Sequence, residues 1–161
     1  MEKIIHPIPP VYDGQSKVLV LGSFPSVKSR EQKFFYGNPQ NRFWKVLSAV
    51  FNDEVPLSVE QKKAFLLKNK VAVYDVIYSC EISGSSDSSI KSVVPADLTE
   101  IIANGKIKTV YLNGKTAGKL YEKYLSESIG LNYAVLPSTS PANAAYTFDK
   151  LLKEWKIIAG I

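Results

Sequence analysis

Most of the side chains in this sequence that could do chemistry sit in two short stretches rich in Ser, Pro and Asn. The first is Gly22, Ser23, Phe24, Pro25 and Ser26, followed soon after by Asn38, Pro39, Gln40 and Asn41; the second runs from Pro137 through Ser138, Thr139, Ser140, Pro141 and Ala142 to Asn143. Neither holds a metal-ligand set or a nucleophile beside a base. Both offer neutral hydrogen bonds from hydroxyls and amides on chain stiffened by proline. That composition suits gripping a phosphate backbone and a base edge.

Three further positions carry chemical potential. Asp75 lies in the apolar run from Ala72 to Ile77. An ionised group there needs a partner, a ligand or a job, although capping the backbone N–H groups of the next loop would also satisfy it. The aromatic run Phe34, Phe35, Tyr36 precedes Gly37 and Asn38. It either closes the core under a long connection or forms a stacking wall for a planar base. Asn41 either orients water or a base through its amide, or caps the helix that starts there.

Other motifs fall away. Asn113, Gly114, Lys115 and Thr116 resemble part of a phosphate-binding loop, but the glycine required five positions earlier is Thr109. A tight strand-to-helix turn explains them better. The Gly/Ser run from Ser83 to Ser89 reads as a mobile surface connection. His6 is the only histidine and Cys80 the only cysteine. A Ser-His-Asp or Cys-His mechanism, a His-rich zinc site and an intramolecular disulfide are all disfavoured.

These residues must be held by alternating strands and helices. The apolar run from Lys17 to Leu21 predicts the first strand and leads straight into the first Ser/Pro stretch. A helix is predicted over 41–51, with Phe43, Val46, Leu47 and Val50 at helical spacing. Another covers 59–68. A strand at 71–76 ends beside Asp75. Pro95 is expected to start a helix reaching Ala103. A strand at 109–112, a helix at 115–124 and a strand at 131–136 follow. Ser140 is expected to cap the last helix, with Pro141 at its first position and Phe148, Leu151, Leu152 and Trp155 on its apolar face. Strands separated by helices imply a parallel sheet covered on both sides. Loops leaving the carboxyl ends of such strands share one crevice, where open sheets bind ligands.

At 161 residues the chain is expected to form one domain with its own core. Its net charge of +5 suits a polyanion, but the lysines are spread along the chain. No apolar run approaches membrane-spanning length and no secretory h-region opens the chain. A soluble cytoplasmic protein acting as a monomer, with no membrane partner, is expected.

Taken together, the motifs resemble the uracil-DNA glycosylase superfamily. Gly22 to Ser26 occupies the place of its first motif. The segment from Asn38 to Lys45 (NPQNRFWK) is similar to one in the mismatch-specific uracil-DNA glycosylases. Ser138 to Asn143 resembles the second motif, which enters the DNA minor groove. The departures are informative. Phe24 stands where the first motif carries Asp or Asn, Ser138 where the second carries His, and Ala142 where a bulky residue intercalates. This set resembles the hypoxanthine-DNA glycosylase branch.

The resemblance implies a three-layer α/β/α domain around a four-stranded parallel sheet. It also implies a monofunctional N-glycosylase acting on DNA containing deaminated bases, without cofactor or metal. Such an enzyme flips the nucleotide, breaks the C1′–N bond and leaves an abasic site. Carried over residue by residue, Gly22, Ser23, Phe24 and Pro25 shape the base pocket, with Ser23 among the catalytic residues. Tyr36 stacks on the base, and Asn41 is chosen to replace the polar group missing at Phe24. Asp75, near where relatives place an Asn, is a catalytic candidate on its own chemistry and reads the base through its acceptor-only carboxylate. Ser138, Thr139, Ser140, Pro141, Ala142, Asn143 and Lys115 face the DNA, with Ser140 favoured for phosphate as the residue at a helix N-terminus. Two competitors are a glycosylase preferring mismatched uracil and a nucleotide-binding module without hydrolase activity.

Overall fold

The computed structural model describes residues 2–160. Strand β1 (Glu2–Ile5) leads through an irregular stretch into β2 (Val18–Gly22) and a short helix α1 (Val27–Gln32). Helices α2 (Phe43–Val50) and α3 (Val59–Lys68) precede β3 (Val71–Asp75), β4 (Ile77–Ile82) and β5 (Lys91–Pro95). Then come α4 (Thr99–Asn104), β6 (Thr109–Asn113), α5 (Lys115–Tyr124), α6 (Ser126–Ile129), β7 (Asn132–Leu136) and α7 (Phe148–Trp155).

The four expected strands pair in parallel, in the order β3-β2-β6-β7. Every residue of β3 is buried, as a strand covered on both faces requires. Register shows how the layers form. Val110 pairs with Tyr133 and Leu112 with Val135, so these side chains share one face. Helix α5 lies directly on it: a Cβ at Gly118 would come within 2.7 Å of Val135. Tyr111, paired with Ala134, points the other way, where its hydroxyl lies 3.5 Å from the Ile157 carbonyl beyond α7. Phe43 of α2 meets Trp155 of α7 edge to face at 6.0 Å on that side. The result is helix, sheet, helix, with Leu19, Leu21, Leu112 and Trp155 fully buried.

Several expected elements differ. The stretch before the first strand contributes β1, which joins β4 and β5 in a second, antiparallel sheet of order β1-β4-β5. Pro95 starts no helix. It ends β5 opposite Ile77, a strand-end position that tolerates a missing N–H, and α4 begins four residues later. Helix α2 begins at Phe43 rather than Asn41. Ser140 does not cap the last helix: α7 starts at Phe148, and the Thr147 hydroxyl accepts the Lys150 N–H. Residues 140–146 make successive turns instead, with Asn143 N–H on the Ser140 carbonyl and Tyr146 N–H on the Asn143 carbonyl. Among the described residues no helix is long and apolar enough to cross a membrane.

Candidate active site

The carboxyl ends of the four parallel strands open into one cleft of about 320 Å³. Gly22 to Ser26 form one wall and Ser138 to Ala142 the other, with Tyr36, Asn41, Asp75 and Asn113 between them. The volume is at the small end for ligand clefts, suiting one nucleoside rather than an extended chain. Tyr36 and Ser140 share this cleft, although 104 residues separate them.

Asp75 is 4% exposed and ends β3 in register with Gly22, the last residue of β2. Its Oδ2 lies 2.7 Å from His6 Nε2. Its Oδ1 sits above Gly22, where a Cβ would stand only 2.6 Å away. Glycine therefore keeps the floor open beneath the carboxylate. The Tyr36 hydroxyl would stand 3.2 Å from that same Cβ and has no hydrogen-bond partner among the described residues. Burial, and secondarily the Asp75 charge, push its phenol far above the usual range, so it stays protonated.

The aromatic run divides between the core and the cleft. Phe34 and Phe35 are buried in the core. Tyr36 lines the cleft at φ 51°, with one ring face stacked on Phe43 at 3.9 Å. Only its other face or its edge remains for a ligand. Asn41 makes a helix-end contact while lining the cleft: its Oδ1 accepts the Phe43 N–H at 2.9 Å, in front of α2. With the oxygen committed, its amide N–H groups are what it can offer the cleft, where it is a lining residue.

The second loop is held more tightly than the sequence suggests. Asn113, at the end of β6, donates to Thr139 Oγ1 and accepts the Thr139 N–H, both at 3.0 Å. Arg42 spans the same loop, its guanidinium donating to the Asn143 and Tyr146 carbonyls. Neither residue was expected to matter to the site. Asn113 had a signal, a polar side chain at a strand's carboxyl end, obscured by the phosphate-loop likeness of its neighbours. Arg42 lay inside the quoted segment, but a contact a hundred residues away leaves no mark on sequence spacing.

Among the residues assigned to a DNA-facing surface, Thr139 and the helix-terminus ground for Ser140 need correction. Thr139 is fully buried and its hydroxyl is engaged with Asn113. Asn143 does not line the cleft, and its amide donates to the Ser138 carbonyl at 3.0 Å. Lys115 lies outside the cleft, on the first turn of α5. Ser140 is on the rim, but without the helix N-terminus that favoured it for phosphate; its hydroxyl accepts the Ala142 N–H. Ser138, Ser140, Pro141 and Ala142 line the cleft, and Thr139 lies in the same wall with its hydroxyl already bonded to Asn113.

The first loop is braced from an unexpected side. The Ser23 hydroxyl donates to Asp87 at 3.1 Å, and the Val27 N–H donates to the Ser85 hydroxyl. The 83–89 stretch is thus a wall of the cleft rather than a remote connection, and Ser85 and Asp87 line it. Burial pushes the Asp87 carboxyl up, with the Ser23 and Thr116 hydroxyls acting against it. Phe24 packs with Ile77, Cys80 and Ile82 while lining the cleft, and Arg30 stands 5.8 Å from its ring centroid.

A cleft of this shape, walled by two Ser/Pro loops across a four-stranded parallel sheet, can be compared with known proteins. The family model of the uracil DNA glycosylase superfamily matches residues 9–159. The chain belongs to that superfamily. Among its relatives, a hypoxanthine DNA glycosylase of Methanosarcina acetivorans is 32% identical, covering 93% of this chain and 94% of that one. A hypoxanthine DNA glycosylase of Methanosarcina barkeri is 30% identical over 84% of this chain and 85% of its own length. A solution NMR structure from Methanosarcina acetivorans, described as a candidate uracil DNA glycosylase, superposes with a TM-score of 0.81. It is 31% identical and covers 97% of both chains. For this superfamily member the departures noted above keep their force. Phe24 and Ser138 leave the cleft without the first-motif acid or amide and the second-motif histidine, and the polar side chains it offers from other elements include Asn41, Asp75 and Asn113.

Proposed function

We propose that this protein is a monofunctional DNA glycosylase that flips hypoxanthine out of DNA and hydrolyses its N-glycosidic bond. The observation that carries the reading is Asp75 Oδ1 on the floor of the cleft. Hypoxanthine presents a ring N–H beside a carbonyl, whereas adenine presents a bare ring nitrogen at that position. A carboxylate only accepts hydrogen bonds. Its Oδ1 would receive the hypoxanthine N–H but confront the adenine lone pair, leaving that oxygen of a buried carboxylate without a donor. Sites built around such a bond reject the analogue lacking it strongly. Guanine shares the N–H and would be refused at its amino group. The names of the relatives support the same substrate.

In the reaction the C1′–N bond breaks with its electron pair going to the departing base. Water adds to the oxocarbenium-like C1′, and its proton passes to solvent or base. The Asn41 amide, free to donate, stabilises charge on the leaving base. Tyr36 and Phe24 offer apolar surface around the ring. Ser138 and Ser140 bond the DNA backbone from the rim, and binding weakens with salt as counterions are released. Catalysis rests on positioning and electrostatics.

The test is a panel of duplex oligonucleotides carrying inosine, uracil or normal bases, scored for alkali-labile sites. Inosine should be cleaved and the unmodified strand left intact. Uracil carries a similar ring N–H, so release of uracil but not hypoxanthine would move the assignment to a mismatch-specific uracil enzyme. No release from any member would leave a binding module. Within the panel, Asn41→Ala should cut single-turnover release about a hundredfold, with DNA affinity little changed.

A further inference from the structure

His6 does not touch the cleft, yet its placement determines what the cleft presents. It follows β1, and its backbone N–H donates to the Tyr78 carbonyl at 2.7 Å. The side chain is fully buried among aromatic rings, with Tyr74 at 4.5 Å, Phe24 at 5.8 Å and Phe35 at 5.9 Å. Both ring nitrogens are engaged. Nδ1 accepts the Ile8 N–H at 3.1 Å, and Nε2 lies 2.7 Å from Asp75 Oδ2. A nitrogen that accepts carries no proton, so the ring proton is on Nε2 and points at Asp75. Packing prevents the ring from turning and Ile8 fixes its tautomer.

We propose that His6 is a positioning residue that sets the polarity of the Asp75 side chain in the cleft, and through it the selectivity for a base bearing a ring N–H. The proposal rests on the reading of Asp75 given above. His6 occupies Oδ2, which holds the carboxylate in one orientation and leaves Oδ1 to the ligand. It also removes a freedom that an amide at this position would have in isolation. Asparagine at 75 must turn its oxygen to the Nε2–H, so its N–H groups face the cleft. The backbone thus dictates a tautomer, the tautomer an orientation, and the orientation a base preference.

Two substitutions separate the bonds of His6. His6→Asn keeps an acceptor near the Nδ1 position for Ile8 but cannot reach Asp75. His6→Gln retains a donor near the Nε2 position. The readout is the ratio of single-turnover release rates for inosine and adenine in duplex DNA, with melting temperature as the control for folding. His6→Asn should lower the ratio at least about tenfold, the worth of a hydrogen bond to a charged group, and His6→Gln should restore most of it. Asp75→Asn with His6 intact should lower the ratio at least as far, and adding His6→Asn to it should cost less than in the wild type. Because His6 is the only histidine, ring 15N-histidine labelling reports one imidazole, whose two nitrogen signals are expected to show the Nε2-protonated form. A proton on Nδ1, a folded His6→Asn with the wild-type ratio, or Asp75→Asn with the wild-type ratio would each overturn the proposal. A wild-type protein that releases neither hypoxanthine nor uracil would overturn the functional reading itself, which is a different result.

Discussion

Gly22 and Asp75 end neighbouring parallel strands in register, with the Asp75 carboxylate lying across the space that any other side chain at 22 would fill. The floor of the cleft therefore exists because one residue lacks a Cβ. Gly22→Ala would place a methyl 2.6 Å from Asp75 Oδ1 and 3.2 Å from the Tyr36 hydroxyl. Something must shift, and the carboxylate is the nearest group. Single-turnover base release should fall about a hundredfold, the usual effect of misplacing a site group by an ångström. Melting temperature and salt-dependent DNA affinity should change far less. Wild-type turnover in the alanine variant would show that Asp75 Oδ1 is not where the base is read.

Arg42 gathers the second loop by reaching two carbonyls with one planar fork. Lysine offers a point charge on a flexible stem and cannot hold both. Arg42→Lys should loosen residues 140–146, visible as faster amide exchange at Asn143 and Tyr146, and weaken DNA binding. Asn113→Ala should act on the same loop from the other side and cost about 1–3 kcal/mol of stability, since it leaves the Thr139 N–H and hydroxyl unpaired. Unchanged exchange in both variants would argue against a braced loop.

The cap on the last helix distinguishes two hydroxyls. Thr147 accepts the Lys150 N–H at 3.2 Å, whereas Ser140 lies eight residues before the helix begins. Thr147→Ala should lower the unfolding free energy by about 1 kcal/mol, the common cost of a lost N-cap. Ser140→Ala should leave stability nearly unchanged and act on DNA affinity instead. Denaturant titration and a binding isotherm on both variants check the division, and a reversed pattern would restore the cap to Ser140.

Tyr121 predicts an alkaline weakness. Burial, then the nearby Tyr133, push its phenol from 10.0 up to about 12. The folded protein keeps this proton to about pH 12, while the unfolded chain releases it near pH 10. The native state thus binds more protons across that window, and stability falls as pH rises through it. The contribution is intact below pH 10. Because the buried hydroxyl has no partner among the described residues, Tyr121→Phe should cost little at neutral pH. It should also flatten the decline in melting temperature between pH 10 and 12. An equally steep decline in Tyr121→Phe would assign the titration elsewhere, with Tyr74, also pushed up to about 12, as the next candidate.

The central sheet was legible because its causes are local. The Val/Leu run before Gly22 and the apolar run before Asp75 are short and rich in valine, which favours buried strands, and a helix between parallel neighbours follows from chain connectivity. The motifs at the strand ends were legible for the same reason: strand direction alone puts Gly22, Asp75 and the Ser138 loop on one rim. The second sheet was not, because β1 and β5 are short edge strands whose pairing with β4 is a long-range event. Ser140 misled because a good capping residue followed by proline says only that a helix could begin there. Arg42, by taking the Asn143 and Tyr146 carbonyls, commits that segment to turns.

By itself, then, the sequence determined the parallel sheet, the family likeness and the two loops, since hydrophobic period and residue type act over a few neighbours. Only the tertiary structure decided which polar groups meet. His6 reaches Asp75 across 69 positions, Asn113 reaches Thr139 across 26, and Asp87 turns back to Ser23 across 64. A buried hydrogen bond needs a partner at the right distance and angle, whatever its place in the chain. Sequence spacing carries no such distance, and packing alone supplies it.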